Sequence, residues 1–282
     1  MGPFGAELTV AFDASGVCGA VVSRGWRGRR LRSFARVALP AGALVPQALD
    51  PNLIRGDDVL ESLRRLVDTL EAGAGTVSLL LPDGVARLGL VDVPPGVDAE
   101  EYARFRWAQS LPYPAEEAIV DVLPLEPGRA VAAAVRRRVA EGYEQAAARA
   151  GLSSGRVDLA PLAVLSALVR HPPREPAGVD VILGDAAYCL AATYAGTLRA
   201  LRNRRRDRDE GEAGRLRREV DRTAALAGNG SGPWRVRVTG PGSASLIAEL
   251  QRAGHAVAPW SPAREGLLEE ARDVPWLAAV LQ

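Results

Sequence analysis

The stretch 8–22 constrains the fold of this chain more than any other. It reads LTVAFDASGVCGAVV, in which two apolar runs typical of buried strands flank a short Asp-Ala-Ser-Gly turn. The turn places the carboxylate of Asp13 beside backbone N–H groups at the end of a buried strand. Two interpretations fit the pattern: an ordinary β-hairpin with a turn aspartate, or the first phosphate-binding turn of a nucleotide-binding fold.

Composition narrows the classes of function. The chain has 282 residues, of which 48% are hydrophobic and 24% charged, which suits two ordinary globular domains or one bilobal unit. Its net charge of +1 gives no basis for a chain-wide affinity for nucleic acid or anionic membranes, and its positive charge is all arginine because the sequence has no lysine. Two cysteines and two histidines in separate contexts predict neither a disulfide framework nor a zinc site. Without a signal peptide or a long apolar run, we expect a cytoplasmic protein.

Hydrophobic periodicity predicts a mixture of strands and helices. Strands are predicted at 8–12, 19–23, 31–39, 76–81, 86–93, 116–125, 130–135, 179–183, 189–194, 198–201 and 236–239. Helices are predicted at 57–70, 98–111, 136–150, 159–168, 216–226, 243–253 and 271–281. Asp57 or Asp58 is expected to cap the first helix. The basic run 24–32 is expected to be a loop, and the mixed-charge run 203–212 a solvated loop or the start of a helix.

Several short stretches, taken together, resemble a known family. They are FRW at 105–107, LPYP at 111–114, EEAIVD at 116–121, AGL at 150–152, VDLAPLA at 157–163 and VTGPG at 238–242. The series is similar to PilM, the cytoplasmic actin-like component of type IV pilus assembly, to which the cytoplasmic part of the secretion protein GspL is related. The resemblance covers nearly the whole chain, and its most specific part is the Pro-Tyr-Pro-x-Glu-Glu corner.

The resemblance implies an α/β fold, a bilobal actin-like ATPase (ribonuclease H-like) architecture. The first lobe is expected at 1–82, an inserted α+β subdomain at 83–152 and a reduced second lobe at 153–282. The Pro-rich stretch 171–178 is expected to mark a lobe boundary. The segment 203–232 stands where PilM has a larger, nucleotide-covering subdomain.

The resemblance also assigns candidate nucleotide-binding residues, for ATP with Mg²⁺. These are Asp13, Ser15 and Gly16 in the first phosphate turn, Gly184 in the second, and Gly240 and Gly242 in the adenosine turn. The first turn departs from the family pattern, since Ser15 stands where a glycine is expected and Gly19 where a lysine is expected. In the second turn Ile182 stands where an aspartate is expected, although a shift of two or three residues places Asp180 or Asp185 there.

A partner is implied as well. In PilM, a groove between the first lobe and the inserted subdomain takes an extended peptide from PilN, and strand addition with apolar pockets is the physical mode that such a groove offers. The residues of this chain expected to contribute are Leu90, Arg104, Trp107 and Leu111. Core packing is the alternative explanation for Trp107 and Leu111.

The differences from the family pattern in the two phosphate turns decide between the possible functions. A phosphoryl-transfer site works through preorganised positive charge and a metal, and this chain lacks several of the family's groups for that task. We therefore expect a non-enzymatic adaptor with no catalytic residue. It would join a PilN-like inner-membrane protein in a homo-oligomeric or ring assembly and hold a degenerate nucleotide cleft. The alternative is an active ATPase or small-molecule kinase in which Asp13 acts near the metal. A filament former with a C-terminal membrane helix is a third reading, but the apolar end of the chain lacks a basic face.

Overall fold

A computed structural model describes residues 6–26, 28–72, 75–126, 128–170, 177–227, 234–260 and 274–281. Its strands are β1 (Ala6–Asp13), β2 (Gly16–Gly25), β3 (Gly28–Ala38), β4 (Thr76–Leu81), β5 (Ala86–Asp92), β6 (Ala118–Glu126), β7 (Arg129–Arg136), β8 (Ser153–Leu159), β9 (Ala177–Leu183), β10 (Ala187–Tyr194), β11 (Thr197–Arg205), β12 (Arg235–Thr239) and β13 (Ala256–Pro259). Its helices are α1 (Gly56–Thr69), α2 (Ala99–Trp107), α3 (Arg137–Arg149), α4 (Ala160–Arg170), α5 (Glu212–Leu226), α6 (Ser243–Arg252) and α7 (Leu277–Val280). No helix of the described residues is long and apolar enough to span a bilayer.

The chain forms two compact units. Unit 1 comprises Met1–Asp83, Arg138–Arg170 and Ser261–Gln282, and unit 2 comprises Gly84–Arg137 and His171–Trp260. Unit 2 therefore takes 84–137 of the predicted subdomain 83–152, whereas the rest of that segment, with most of α3, packs in unit 1. The three-part division of the chain stays a prediction.

Unit 1 is built on a five-stranded sheet in the order β3-β2-β1-β4-β8. The first three strands form an antiparallel meander, and β4 and β8 are parallel to β1. Asp13 pairs with Gly16 at the closed end of the β1–β2 hairpin, so the opening motif forms the strand-turn-strand that its sequence predicts. Val10, Phe12 and Val17 are almost fully buried, which explains the unbroken apolar runs on both sides of the turn.

A buried amide organises the loop that precedes α1. Asn52 is 4% exposed, and its Nδ2 donates to the carbonyls of Gln47 at 3.0 Å and Leu49 at 2.7 Å. Its Oδ1 accepts from the Gln47 N–H at 2.9 Å and from the Tyr143 hydroxyl at 3.2 Å. Tyr143 comes from α3 and packs edge-on against Phe12 at a centroid distance of 5.0 Å. Burial raises the pKa of the Tyr143 hydroxyl, which therefore stays a hydrogen-bond donor.

Unit 2 is built on an eight-stranded sheet in the order β13-β12-β9-β10-β11-β5-β7-β6. Its core lies where α5 and α6 cover β9, β10 and β12, with Val181, Leu190 and Leu250 among the fully buried residues. The antiparallel strands β5, β7 and β6 extend this sheet through one bridge, between Arg202 of β11 and Gly89 of β5. The α2 helix packs on β6 and β7.

Several local predictions are wrong, each for a tertiary reason. The run 24–32 is not a loop, because β2 extends to Gly25, β3 begins at Gly28, and these two residues pair. Neither Asp57 nor Asp58 caps α1, since each pairs with an arginine instead: Asp57 with Arg149 and Asp58 with Arg55.

The structure also changes the extent of some elements. The run 203–212 completes β11 and begins α5, and β8 and β13 are strands that the sequence patterns did not reveal. The last predicted helix is confirmed only as α7, and residues 271–273 of it lie outside the described part. The same holds for 171–176 of the Pro-rich stretch and for 228–232.

Replacing Asn52 tests the loop network. We expect Asn52→Ala to lower the free energy of unfolding by about 2–3 kcal/mol, because several buried partners lose their hydrogen bonds at once. Tyr143→Phe is the matched control, which removes a single hydrogen bond and costs about 1 kcal/mol. Urea unfolding followed by circular dichroism measures both, and an equal loss in the two variants would contradict the network.

Candidate functional site

The first candidate phosphate turn is closed by its own aspartate. Asp13 Oδ1 accepts from the Ser15 backbone N–H at 2.8 Å and from the Ser15 hydroxyl at 2.7 Å. This is an Asx-type turn, and it uses one carboxylate oxygen and one N–H that a phosphate turn would offer to its ligand.

An arginine of the neighbouring meander neutralises the same turn. Arg36, on β3, places its Nη2 3.2 Å from Asp13 Oδ2 and 2.8 Å from the Ser15 Oγ. The side chains are 50% and 28% exposed for Arg36 and Asp13, so the pair is worth at most about 1 kcal/mol. A hard divalent cation that approached Asp13 would have to compete with this guanidinium.

Packing accounts for both glycines on this side. A Cβ at Gly16 would lie 2.7 Å from the Val37 carbonyl oxygen, so close pairing of β2 with β3 requires glycine there. A Cβ at Gly19 would lie 2.7 Å from Leu70 Cδ1 and 3.2 Å from Leu66 Cδ2. The position at which the PilM pattern has a lysine is therefore filled by α1.

In unit 2, one guanidinium joins the two candidate nucleotide turns. Arg206 donates from Nη1 to the Gly184 carbonyl at 2.7 Å and to the Pro241 carbonyl at 2.8 Å. Gly184 closes the β9–β10 hairpin by donating its N–H to the Ala187 carbonyl at 2.9 Å. Here the two turns present carbonyl oxygens to an internal cation, whereas a phosphate needs N–H donors.

The same guanidinium is held by a bidentate carboxylate. Glu212, at the start of α5, accepts from Arg206 Nε at 2.6 Å and from Nη2 at 3.2 Å, and the Arg206 side chain is only 3% exposed. A Cβ at Gly242 would lie 2.8 Å from Arg206 Nη2, and one at Gly240 would lie 1.9 Å from the Leu183 carbonyl oxygen. Both glycines also have a positive φ, +100° at Gly240 and +78° at Gly242. The turn around them therefore requires glycine whether or not a ligand binds.

The acids near the second turn each have an arginine partner. Asp185 pairs with Arg208. Asp180 lies within β9 opposite Arg237 of β12, whose Nε and Nη2 are 2.5 and 2.8 Å from its two carboxylate oxygens. Burial raises the pKa of Asp180, and the hydrogen bonds from Arg237 act against that shift. Ile182 is 5% exposed at the end of the strand.

These observations test the fit of Mg²⁺ with ATP. Mg²⁺ is held by carboxylate oxygens together with the phosphates, and an ATPase of this kind uses a cation aimed at the phosphates. Asp13, Asp180 and Asp185 are all paired with arginines, and the described residues contain no group of three or more acids, histidines and cysteines that could hold a metal ion. The residues present at these turns therefore do not fit Mg²⁺ with ATP.

The predicted partner residues divide into two sets. Arg104 donates from Nη1 to the carbonyls of Ala118 at 2.6 Å and Ala115 at 3.2 Å, which fastens α2 to the start of β6. Leu111 is half-buried and donates its N–H to the Trp107 carbonyl at 3.0 Å. The structure thus gives both residues local packing contacts, and their role toward a partner stays a prediction.

Leu90 and Trp107 lie together on one cavity. It has a volume of about 340 Å³ and is otherwise lined by Arg87, Val91, Asp92, Tyr102 and Arg106. Its size falls in the range of small ligand sites, about 300–1,000 Å³. Sequence reasoning missed Arg87 and Arg106, although Arg106 lies in the Phe-Arg-Trp stretch that carries the resemblance. It also missed Arg206, whose only signal was its place in a run of charges.

Comparison with known proteins identifies the architecture. No family profile and no curated protein matches the chain. Among solved structures, a PilM–PilN type IV pilus biogenesis complex matches with a TM-score of 0.77 at 20% identity, over 97% of this chain and 96% of that chain. A protein of unknown function with an actin-like ATPase fold from Bacteroides thetaiotaomicron matches with a TM-score of 0.64 at 10% identity, over 98% and 95%. The cytoplasmic domain of EpsL, an inner-membrane component of the type II secretion system of Vibrio cholerae, matches with a TM-score of 0.54 at 15% identity, over 84% and 83%.

The chain has the actin-like ATPase fold. The predicted fold class and the structural resemblance to PilM are thereby confirmed. At these identities the likeness concerns the fold, and function has to be argued from the residues of this chain.

Adding a methyl group at position 19 tests the close packing of β2 against Leu66 and Leu70. We expect Gly19→Ala to destabilise the protein by about 1–3 kcal/mol, because its Cβ overlaps Leu70 and Leu66. Gly142→Ala is the matched control: its Cβ, on α3, meets nothing within 4 Å, so the same change should stabilise by about 0.5–1 kcal/mol. Thermal unfolding of the two variants should move in opposite directions, and a neutral Gly19→Ala would show that α1 can move away.

Removing the internal guanidinium tests its role in unit 2. Arg206→Ala leaves Glu212 and two carbonyls without their partner, so we expect a loss of about 3–5 kcal/mol. It should also speed amide hydrogen exchange at 184–187 and 240–243. Arg208→Ala, at an arginine that is 47% exposed, should cost no more than about 1 kcal/mol. Similar losses in the two variants would contradict a special role for Arg206.

Proposed function

We propose that this protein is a cytoplasmic scaffold of an inner-membrane assembly platform of the type IV pilus or type II secretion kind. The observation that carries the proposal is the match to PilM, which runs through nearly the full length of both chains. The match to the EpsL cytoplasmic domain supports the same class of machine. The protein would meet the inner membrane through a partner and assemble there as a homo-oligomer or ring.

The partner in this proposal is a PilN-like protein whose N-terminal tail docks on unit 2. One solved structure that matches, over 97% of the chain, is a complex of PilM with PilN. The cavity that Leu90 and Trp107 share gives such a tail a place with an apolar strand residue and an aromatic wall. Of the four predicted partner residues, these two carry the proposal furthest.

The nucleotide turns serve as scaffold in this proposal. Asp13 is engaged by Ser15 and Arg36, and the Gly184 and Pro241 carbonyls are engaged by Arg206. A site whose acids and carbonyls are paired with the chain's own arginines does not need a bound nucleotide to be stable. The protein is therefore proposed to act without hydrolysing ATP.

Calorimetry with ATP tests this scaffold role. We expect no measurable heat of binding at nucleotide concentrations up to about 1 mM, with or without Mg²⁺, which corresponds to a binding free energy weaker than about −4 kcal/mol. Arg36→Ala, which removes the cation beside Asp13, is the companion variant and should leave this result unchanged. Micromolar binding by the wild type, lost in Asp13→Ala, would instead favour the active ATPase.

Binding of the partner tail is tested separately. The probe is a synthetic peptide of the cytoplasmic N-terminal segment of the PilN-like protein encoded in the same genome. We expect Leu90→Ala to weaken its binding by about tenfold, because buried contact area at the cavity is lost. Leu226→Ala, at a leucine of the same unit that is 62% exposed, should bind as the wild type does. Failure of the wild type to bind this segment would refute the partner assignment.

A further inference from the structure

The cavity beside Trp107 is surrounded by arginines that have no carboxylate partner in the described part of the chain. Arg87 and Arg106 line it, and Arg204 lies next to Arg87. None of these three side chains forms an ion pair with a described residue, whereas many other arginines in the described part of the chain do, among them Arg36, Arg206 and Arg237. An excess of positive charge is thus concentrated at one place on unit 2.

Sheet register brings two of these guanidinium groups together. Arg202 of β11 lies opposite Gly89 of β5 in an antiparallel pair. Two residues further along each strand, Arg204 therefore falls opposite Arg87 on the same face of the sheet. Like charges directly opposite one another on a sheet are destabilising unless a counter-charge lies between them.

Arg87 is fixed in position. Its Nη1 donates to the Ser110 carbonyl at 3.3 Å, and its guanidinium carbon lies 5.0 Å from the Trp107 ring centroid. Partial burial, with the nearby charge of Arg204, lowers the pKa of Arg87. A guanidinium held on an aromatic ring keeps its remaining N–H donors oriented, which favours a planar acceptor.

The rest of the wall carries one further cation and one acid. Arg106 and Tyr102 lie one turn apart on α2 and both line the cavity. The cavity's own acid, Asp92, is 86% exposed and is engaged at 3.2 Å by Arg129, which is not a lining residue. The lining thus combines two cations, an aromatic hydroxyl and one carboxylate that an arginine outside the lining pairs, with Leu90 and Trp107 among its apolar residues.

We propose that this cavity binds a carboxylate side chain, so that the protein segment docking beside Leu90 and Trp107 carries an aspartate or glutamate there. The proposal rests on the proposed function for the identity of the partner, a peptide. A carboxylate matches the planar donor fork of arginine, and one such side chain with an apolar neighbour suits a volume of about 340 Å³. A nucleic acid is disfavoured, because the chain as a whole carries a charge of only +1.

The first test uses small probes and does not depend on the partner. Wild-type protein is titrated at low salt with N-acetyl-glutamyl-leucine amide and, as the neutral match, with N-acetyl-glutaminyl-leucine amide. The readouts are the Arg87 Nε–H and Trp107 indole N–H signals in ¹⁵N-resolved NMR. The proposal expects both signals to shift with the glutamyl probe, with at least about fivefold weaker binding of the glutaminyl probe. Equal binding of the two probes, or no shift with either, would overturn it.

Arginine variants test whether the glutamyl probe binds at this cavity. Arg106→Gln should weaken binding of the glutamyl probe without loss of stability, since Arg106 is exposed and has no ion pair among the described residues. Arg87→Gln should weaken it further, whereas Arg87→Lys, which keeps the charge but not the fork, should fall between. Arg65→Gln, the same charge change at an exposed position of α1 in unit 1, is the matched control and should bind as the wild type does.

The second test separates this inference from the proposed function. The partner segment is measured by calorimetry in its native form and with each acid changed to its amide. Two results together support the inference. The wild-type protein binds one of the amide forms more weakly than the native segment, and the Arg87→Gln variant binds that amide form and the native segment equally. If the segment binds and no amide change matters, the docking proposal stands and the carboxylate site is refuted. If the segment fails to bind while the glutamyl probe does, the PilN-like assignment fails alone. Shifts caused by inorganic phosphate or a single-stranded oligonucleotide, and not by the glutamyl probe, would also overturn the carboxylate site.

Discussion

The ion pair between Arg206 and Glu212 is the interaction on which the organisation of unit 2 depends. It joins the β9–β10 turn, the turn after β12 and the start of α5, three places far apart in the sequence. Burying the Arg206 guanidinium is unfavourable because it removes the charge from water. The hydrogen bonds offset this, since nearly every donor of the guanidinium has a well-placed acceptor. Since Gly242 packs directly against the guanidinium, the glycine-rich turn is shaped by the arginine. In this chain, therefore, contacts within the protein account for the candidate ligand-binding glycines: Gly242 lies against Arg206, Gly240 against the Leu183 carbonyl and Gly16 against the Val37 carbonyl.

The same chemistry recurs wherever a nucleotide-binding acid was expected. Asp13 forms an ion pair with Arg36, Asp185 with Arg208, and Asp180 with Arg237. A chain without lysine has only arginine for such tasks, and the planar fork suits bidentate pairing within the protein better than a mobile point charge would. The cavity at Trp107 is the contrasting case, since its lining arginines, Arg87 and Arg106, form no ion pair with a described residue. Charge pairing thus distinguishes the two candidate nucleotide turns, whose acids are paired within the protein, from the cavity at which we propose that a carboxylate binds.

Local patterns predicted most elements and failed where partners are remote. The helices over 57–70 and 136–150 match α1 and α3 because amphipathic periodicity is a property of the segment itself. The strands β8 and β13 have no such signal, since their side chains are largely exposed and parallel pairing with β4 or β12 holds them in place. Phe105 is 76% exposed, whereas Trp107 on the same helix is buried against β5. The periodicity of α2 alone did not decide which aromatic faces the sheet.

The sequence by itself determined the hairpin at Asp13 and the glycine turns, because these follow from apolar periodicity and from backbone conformations that few residues adopt. The actin-like fold class was implied by the resemblance to a known family and not by periodicity. The sequence also carried the resemblance to PilM, which solved structures confirm at the level of the fold. Only the tertiary structure decided what the charged residues do. Arg206 sits in a run that reads as solvated, yet it is buried, because its carbonyl partners come from segments 22 and 35 residues away. The juxtaposition of Arg87 with Arg204 likewise exists only through the bridge between β5 and β11, since charge pairing across a sheet depends on register and not on neighbours in the sequence.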